Sequence, residues 1–183
     1  MPIFYKPHGI SRMLVVDMDI FNQAFKATIG HEGGYIDDPK DKGGETKFGI
    51  SKRSYPQIDI KSLSLIEAKS IYYNDFWNTK KCNLDFLPNL IAVELFDTGV
   101  NMGSVTALKM LQESLNLLNR VETRFNDLVV DGWIGSSTLG AVGKVKVKEL
   151  LRVLNGLQFN RYLEIVKNDP SQERFFAGWI KRT

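Results

Sequence analysis

The sequence is short of cysteine, of strand-like patterns and of long apolar runs. Its 183 residues include one cysteine, Cys82, which excludes an intramolecular disulfide. A chain of this size buries enough core to fold without one. Cys82 lies in KKCNLDF with neither histidine near it in sequence, which is not the pattern of a cysteine nucleophile. We interpret it as a structural thiol.

Long apolar segments are absent as well. No stretch approaches the roughly 20 apolar residues of a membrane-spanning helix, so we expect no stable insertion into a membrane. The N-terminal apolar run, Met13 to Val16, is shorter than the core of a secretory signal peptide, which takes about 7–15 residues. Action outside the cytoplasm would therefore require a non-standard route of export.

The sequence also lacks a large excess of either sign of charge. The formal net charge is only +3, and the surplus lies after residue 100, where 12 Lys or Arg face 8 Asp or Glu. This mild basic bias suits an anionic polymer. It lacks the clustered cationic contacts of a nucleic-acid-binding protein, so we expect no nucleic-acid partner.

What the sequence does contain is helical spacing of apolar residues along most of its length, which predicts a mainly α protein. A first helix is predicted from the N-cap Asp19 to about His31, ended by Gly33 and Gly34, with residues 1–17 as an N-terminal extension. Ser64 and Glu67 form a capping box that predicts a helix through Trp77. Further helices are predicted over 87–100, from a cap at Ser104, over 136–145, over 147–168 and after Pro170.

One segment favours strands. Tyr35-Ile36 and Lys47-Phe48 flank a glycine-rich turn, which predicts a small β-hairpin within residues 35–50. The remaining pattern shows no internal repeat or long linker. We place the boundary between two lobes near Gly103–Ser104.

The chemistry is expected in residues 30–51, GHEGGYIDDPKDKGGETKFGIS. Glu32 ends a predicted helix, where the helix dipole and partial burial under Tyr35 or Phe48 would disfavour its ionised form. A carboxyl group kept protonated near neutral pH is what a glycosidase general acid requires. A hairpin could return Asp41 and Thr46 to face it. The alternatives are a solvated glutamate at a helix end, a turn aspartate and a strand or capping threonine.

A calcium-binding reading of DDPKDKGG fails on spacing. Counted from Asp37, the third position is Pro39 and the twelfth is Phe48, where an EF-hand loop needs oxygen ligands. The stretch calls for no metal.

The stretch HEGGYIDDPKDKGGETKFGIS resembles the signature of glycoside hydrolase family 108, a group of bacterial and phage lysozyme-like N-acetylmuramidases often labelled secretion activators. EGGY, DP followed by D, GG-x-T and the final GIS carry the resemblance. It implies that Glu32 is the catalytic acid. The order Glu, Asp, Thr also resembles phage-type lysozymes, which implies that Asp41 and Thr46 serve the attacking water. Their last interval is one residue longer than that from Asp41 to Thr46.

Further motifs resemble parts of the same system. FDTGVNMG resembles the family's second characteristic stretch; its Asp97 and Asn101 share a helix face, either as sugar contacts or as a buried pair that supports the cleft. ALKMLQESLNLLN and LVVDGWIGSSTLGAV resemble a peptidoglycan-binding helical module, and residues 176–182 resemble the F-x-GW-x-x-R ending of such chains. Trp133, in the DGWIG turn, is a candidate for stacking on a saccharide, although tryptophan is more often a core residue. Tyr35 is a further candidate for substrate binding.

The resemblance implies a lysozyme-like, two-lobed helical fold with the small hairpin beside the active-site cleft. Residues 18–103 would form the catalytic region, and residues 104–183 a helical peptidoglycan-binding-like region packed against it. The implied activity is hydrolysis of the β-1,4 bond between N-acetylmuramic acid and N-acetylglucosamine, without a cofactor. The alternatives are a lytic transglycosylase and a non-catalytic wall-binding protein that assists secretion.

The resemblance also implies which partners the protein binds and where it acts. We expect a monomer that binds peptidoglycan glycan strands in the periplasm or cell wall. Its release would use a holin-type pore or another non-standard path.

Overall fold

The computed structural model describes residues 12–30, 34–37 and 44–183, with side chains in the first helix described from residue 19 onward. The chain divides into two compact units, Met1–Lys61 and Ser62–Thr183. The predicted lobe boundary at Gly103–Ser104 lies inside the second unit. Two predicted catalytic residues, Glu32 and Asp41, lie outside the described residues.

The first helix is longer at its start and shorter at its end than predicted. Helix α1 spans Arg12–Ile29, so residues 12–17 are helical and the predicted start at Asp19 is wrong. No glycine or proline interrupts residues 12–29, and the helix extends through them. Gly30 has φ +79° and its N–H donates to the Lys26 carbonyl at 3.0 Å. This left-handed glycine ends the helix, in place of the predicted Gly33 and Gly34.

The hairpin is present with a different second strand. Strands β1 (Thr46–Lys47) and β2 (Ile50–Ser51) pair antiparallel. Phe48 and Gly49 connect them with φ of +52° and +75°, as a tight hairpin turn requires. Phe48 is therefore a turn residue and not a strand residue. The predicted pairing partner, Ile36, forms an isolated bridge to Thr46 through two backbone hydrogen bonds of 2.8 Å.

The second unit begins with the predicted capping box. Helix α2 spans Leu65–Tyr72; the Ser64 hydroxyl accepts from the Glu67 N–H at 3.2 Å, and the Glu67 carboxylate accepts from the Ser64 N–H at 2.8 Å. A π-helical turn, Tyr73–Trp77, continues it to the predicted end. Trp77 is fully buried and its indole N–H donates to Asp85 at 2.5 Å.

A bundle of helices makes up the rest of the unit. Gly103, with φ +91°, separates α3 (Asn89–Met102) from α4 (Ser104–Leu117), and the two helices pack against each other and against α6. The predicted N-cap role of Ser104 is wrong, because its hydroxyl donates to the Asp75 carbonyl at 3.1 Å. The later helices are α5 (Ser136–Val142), α6 (Val147–Asn168) and α7 (Glu173–Trp179), with 3₁₀ turns at Leu84–Phe86, Pro170–Gln172 and Ile180–Arg182.

The apolar faces of these helices form the core of the second unit, as their spacing predicted. The mainly α class with a small antiparallel hairpin is thereby confirmed. Over the described ranges, no helix is both long and apolar enough to cross a bilayer. The largest fully buried side chains of the unit are Trp77, Leu84, Ile91, Phe96, Leu108, Leu111, Leu115, Leu150 and Leu154.

Candidate functional site

The described part of the chemistry-bearing stretch is the hairpin with Tyr35 beside it. Thr46 is half-buried, its backbone is paired with Ile36 in both directions, and its hydroxyl donates to the Gly44 carbonyl at 3.2 Å. Tyr35 is exposed. Loss of solvation raises the pKa of Tyr35, and the negative charges of Asp37 and Glu45 add to the effect. The hairpin thus fixes the backbone of Thr46. Glu32 and Asp41, the residues predicted to act with it, lie outside the described residues.

Helix α3 carries the second set of predicted site residues. The Asn101 amide donates to the Asp97 carbonyl at 2.7 Å and to its carboxylate at 3.3 Å, so the two share one helix face. The Arg182 guanidinium donates to the Asp97 carboxylate at 2.6 Å from the end of the chain. The Asp97 side chain is only 16% exposed, which makes this a partly buried ion pair. Asn101 itself is exposed.

Glu94 lies one turn before Asp97 and was not among the predicted site residues. Burial raises the pKa of Glu94 to about 7, and the charge of Asp97 pushes it in the same direction. The Thr98 hydroxyl donates to the Glu94 carboxylate at 3.4 Å and accepts from the Gln158 amide at 2.9 Å. A glutamate in the apolar run IAVELF was the signal that the sequence offered.

Helix α6 supplies the opposite wall of this group. Tyr162 is buried, and burial first, then the charge of Asp97, raises its pKa to about 12. Its ring stacks on Trp179 with centroids 5.2 Å apart. In the described part of the chain, the Tyr162 hydroxyl and Gln158 Oε1 are buried without a hydrogen-bond partner. We name this group the α3–α6 polar cluster: Glu94, Asp97, Thr98, Gln158, Tyr162 and Arg182.

A different polar arrangement fixes the loop after α4. Buried Gln112 donates to the Asp131 carboxylate at 2.9 Å and to the Trp133 carbonyl at 3.0 Å, and accepts from the Gly132 N–H at 2.8 Å. Asn116 exchanges two bonds of 2.8 Å with the backbone of Leu128.

Asn119 completes the arrangement: its amide donates to Asp127 at 2.8 Å and accepts from the Phe125 N–H at 3.1 Å. We name Gln112, Asn116 and Asn119 the amide ladder. Their spacing of four and three along LQESLNLLN was the available signal, which the sequence analysis did not use.

Trp133 is displayed by this loop. The residue is 52% exposed, and the Lys81 ammonium lies 5.8 Å from the ring centroid. The other two tryptophans differ: Trp77 is core, and Trp179 is partly covered between Tyr162 and Phe175. The position of Trp133 is thus compatible with the predicted stacking on a saccharide, and this role stays a prediction.

Among the described residues we find neither a metal-binding group nor an activated thiol. Those residues hold no group of three or more His, Cys, Asp or Glu side chains that could bind a metal ion. Cys82 is buried beside Thr79, and burial raises the pKa of its thiol. A raised pKa leaves less thiolate, which fits the structural role predicted for Cys82.

Comparison with known families divides the chain in two. Residues 106–183 match the family described as "Predicted Peptidoglycan domain", and residues 25–103 match "Glycosyl hydrolase 108". The chain thus contains a region similar to glycosyl hydrolases, followed by a region similar to a peptidoglycan domain. The matches confirm the resemblance to glycoside hydrolase family 108 that was read from the motifs.

Among solved structures, the chain is similar to "Structure of Brucella abortus SagA" at 26% sequence identity and a TM-score of 0.66. The similarity covers 92% of this chain and 90% of the Brucella abortus chain. No curated protein matches the sequence. The family division near residue 104 and the division into compact units after Lys61 fall at different points.

Proposed function

We propose that the protein is an N-acetylmuramidase that hydrolyses the β-1,4 bond between N-acetylmuramic acid and N-acetylglucosamine. The observation that carries the proposal is the glycosyl hydrolase 108 match over residues 25–103. That match contains Glu32 in EGGY, Asp41, Thr46 in GG-x-T, and the FDTGVNMG stretch. Peptidoglycan as the polymer is supported by the domain match over residues 106–183.

In the proposed mechanism, Glu32 protonates the leaving glycosidic oxygen as positive charge develops on the sugar ring. Asp41 and Thr46 hold and activate a water on the opposite face of the ring. The half-buried, backbone-paired position of Thr46 supports this role, because a fixed hydroxyl can orient a water. Attack from the opposite face inverts the anomeric centre, and the two carboxyl groups would then lie about 6.5–9.5 Å apart.

Tyr35 in the first compact unit, and Asp97 and Asn101 in the second, are each proposed to contact sugars of the glycan strand. Asn101 is exposed and its amide is oriented by Asp97. Asp97 in turn is oriented by Arg182, so one carboxylate oxygen accepts from Arg182 and the other from Asn101. Tyr35 presents an exposed ring beside the hairpin. The protein would act as a monomer on glycan strands in the periplasm or cell wall, without a cofactor.

The proposal is tested by digesting purified peptidoglycan with the wild type and with Glu32→Gln, and identifying the products by mass spectrometry. We expect reducing muramic-acid ends from the wild type and a loss of turnover of about 10²–10⁴-fold in the variant, since that is the usual contribution of a general acid. Glu113→Gln, at an exposed position on α4, is the matched control and should keep full turnover.

Two other results would each replace the proposal. Anhydro-muramic ends would show a lytic transglycosylase, which needs the glutamate but not a water-activating pair. Sedimentation with the wall and no cleavage by either protein would show a non-catalytic wall-binding protein. With reducing ends established, NMR of the first anomer released distinguishes inversion from retention.

A further inference from the structure

Trp133 is an exposed aromatic residue on a fixed backbone. Its N–H donates to the Asp131 carboxylate at 2.8 Å, and its carbonyl accepts from Gln112. The next residue, Ile134, donates its N–H to the Lys81 carbonyl at 2.9 Å. The loop is thus held on both sides of a tryptophan that is 52% exposed. A large ring displayed on a rigid support adds little to the core and is typical of a binding surface.

Two depressions meet at this ring. Each has a volume of about 410 Å³, and Trp133, Gly135 and Ser136 line both of them. One depression also includes Asn126, Asp131 and Ser137, which bring hydrogen-bonding groups to its wall.

The other depression contains Phe86, which is 71% exposed, together with Lys80, Lys81 and Asn83. Exposed aromatic faces flanked by hydrogen-bonding groups fit a saccharide, because a pyranose ring presents an apolar C–H face and a polar hydroxyl edge. The two lysines also complement the carboxylates of peptide stems.

We propose that Trp133, Phe86, Lys81, Gly135 and Ser136 form a platform that binds N-acetylated sugars of a peptidoglycan glycan strand. The inference rests on the proposed function for the identity of the polymer. Phe86 and Lys81 belong to the glycosyl hydrolase 108 match, whereas Trp133 belongs to the peptidoglycan-domain match. The platform is therefore built jointly by both family regions, within the second compact unit.

Trp133→Ala and Gly135→Leu test the platform from opposite directions, and Trp133→Phe is an intermediate case. Trp133→Ala removes the stacking surface, and Trp133→Phe retains part of it. Gly135→Leu fills the space instead: Gly135 has φ −96°, and an added Cβ meets no atom within 4 Å, so the fold accepts a side chain there. Leu117→Ala is the matched control, since Leu117 is 66% exposed on α4 and lies outside both depressions.

The measurement is co-sedimentation of the full chain with insoluble purified peptidoglycan over a range of polymer concentrations, with thermal unfolding as a check on folding. We expect Trp133→Ala and Gly135→Leu to bind about tenfold more weakly, and Trp133→Phe and Leu117→Ala to bind nearly as the wild type. In parallel, the cleavage of short soluble muropeptides by each variant is measured to separate holding of the polymer from the chemistry.

The outcomes separate this inference from the proposed function. Equal binding by all variants, each with wild-type unfolding, would overturn the platform and leave the hydrolase proposal standing. Weaker binding by the two platform variants without any cleavage by the wild type would support the platform and overturn the hydrolase. Loss of soluble-muropeptide cleavage in Trp133→Ala would place Trp133 in the catalytic machinery and overturn the platform as a separate holding surface.

Discussion

The amide ladder and the α3–α6 polar cluster both place polar side chains inside one helical unit, but they are built in opposite ways. The ladder uses three neutral amides, and each both donates to and accepts from the loop that it holds. The cluster contains two carboxyl groups and a guanidinium, and among the described residues two of its buried polar atoms lack a partner.

The difference separates a scaffold from a site. A set of amide side chains that each donate to and accept from one loop fixes that loop. A charged cluster with a carboxyl pKa near 7 and unpaired polar atoms is less stable than an apolar core would be, and such arrangements concentrate at functional sites. We therefore assign the ladder to positioning Trp133, and the cluster to the face of α3 that carries the proposed sugar contacts Asp97 and Asn101.

The largest effect is expected from breaking the ladder. Gln112→Ala leaves the Gly132 N–H without its partner, removes one of the two bonds to the Trp133 carbonyl and opens a small cavity, so we expect the free energy of unfolding to fall by about 3 kcal/mol. Urea unfolding measures it. Glu113→Ala, on the exposed side of the same helix, should change the value by less than about 0.5 kcal/mol.

The ladder variant has a second readout. The Gln112 amide, followed by the Trp133 N–H, lowers the pKa of Asp131. Removing the amide should move that pKa upward, which NMR titration detects. If Gln112→Ala unfolds with the same free energy as Glu113→Ala and leaves the pKa of Asp131 unchanged, the ladder does not hold the loop.

A smaller effect is expected from Glu94, and it depends on pH. Because burial raises the pKa of Glu94 to about 7, the folded protein holds this proton more tightly than the unfolded chain does. The stability contributed by the proton is full below the pKa of an unfolded glutamate, about 4.3, and is lost as the pH rises through 7.

The glutamine of Glu94→Gln is uncharged at every pH, so this variant should not lose stability as the pH rises through 7. We expect its advantage over the wild type in unfolding free energy to grow by about 2 kcal/mol from pH 5 to pH 8. Glu113→Gln should follow the wild-type pH profile. A constant gap between Glu94→Gln and the wild type would show that Glu94 is ionised in the fold at neutral pH.

The smallest effect on stability is expected at the end of the chain. Arg182→Gln removes the ion pair with Asp97 and should lower the free energy of unfolding by about 1 kcal/mol, since the pair is partly exposed. If Asp97 binds sugar as proposed, KM should rise several-fold with kcat nearly unchanged.

Two variants show whether the charge of Arg182 positions Asp97. Arg182→Lys should have a KM between those of Arg182→Gln and the wild type. Lys181→Gln, at the exposed neighbouring position, should have the wild-type KM. A Lys181→Gln effect as large as that of Arg182→Gln would mean that only the overall positive charge matters.

Local signals in the sequence predicted well where neighbouring residues decide the structure. The capping box of Ser64 and Glu67, the bounds of α6 and the glycine that ends α3 all depend on contacts within a turn or two. The start of α1 was missed because residues 12–18 lack a clear amphipathic pattern. The second strand of the hairpin was missed because Phe48 adopts a positive φ that favours glycine or asparagine.

The sequence by itself determined the helical class, the order of the two family regions and the motif that contains Glu32, because periodicity, caps and short motifs are local properties. Only the tertiary structure decided that Arg182 pairs with Asp97 across 85 positions, that Gln112 holds the loop of Trp133, and that Lys81 lies beside that ring. These contacts depend on how helices pack, and packing is set by the whole core rather than by any segment of it.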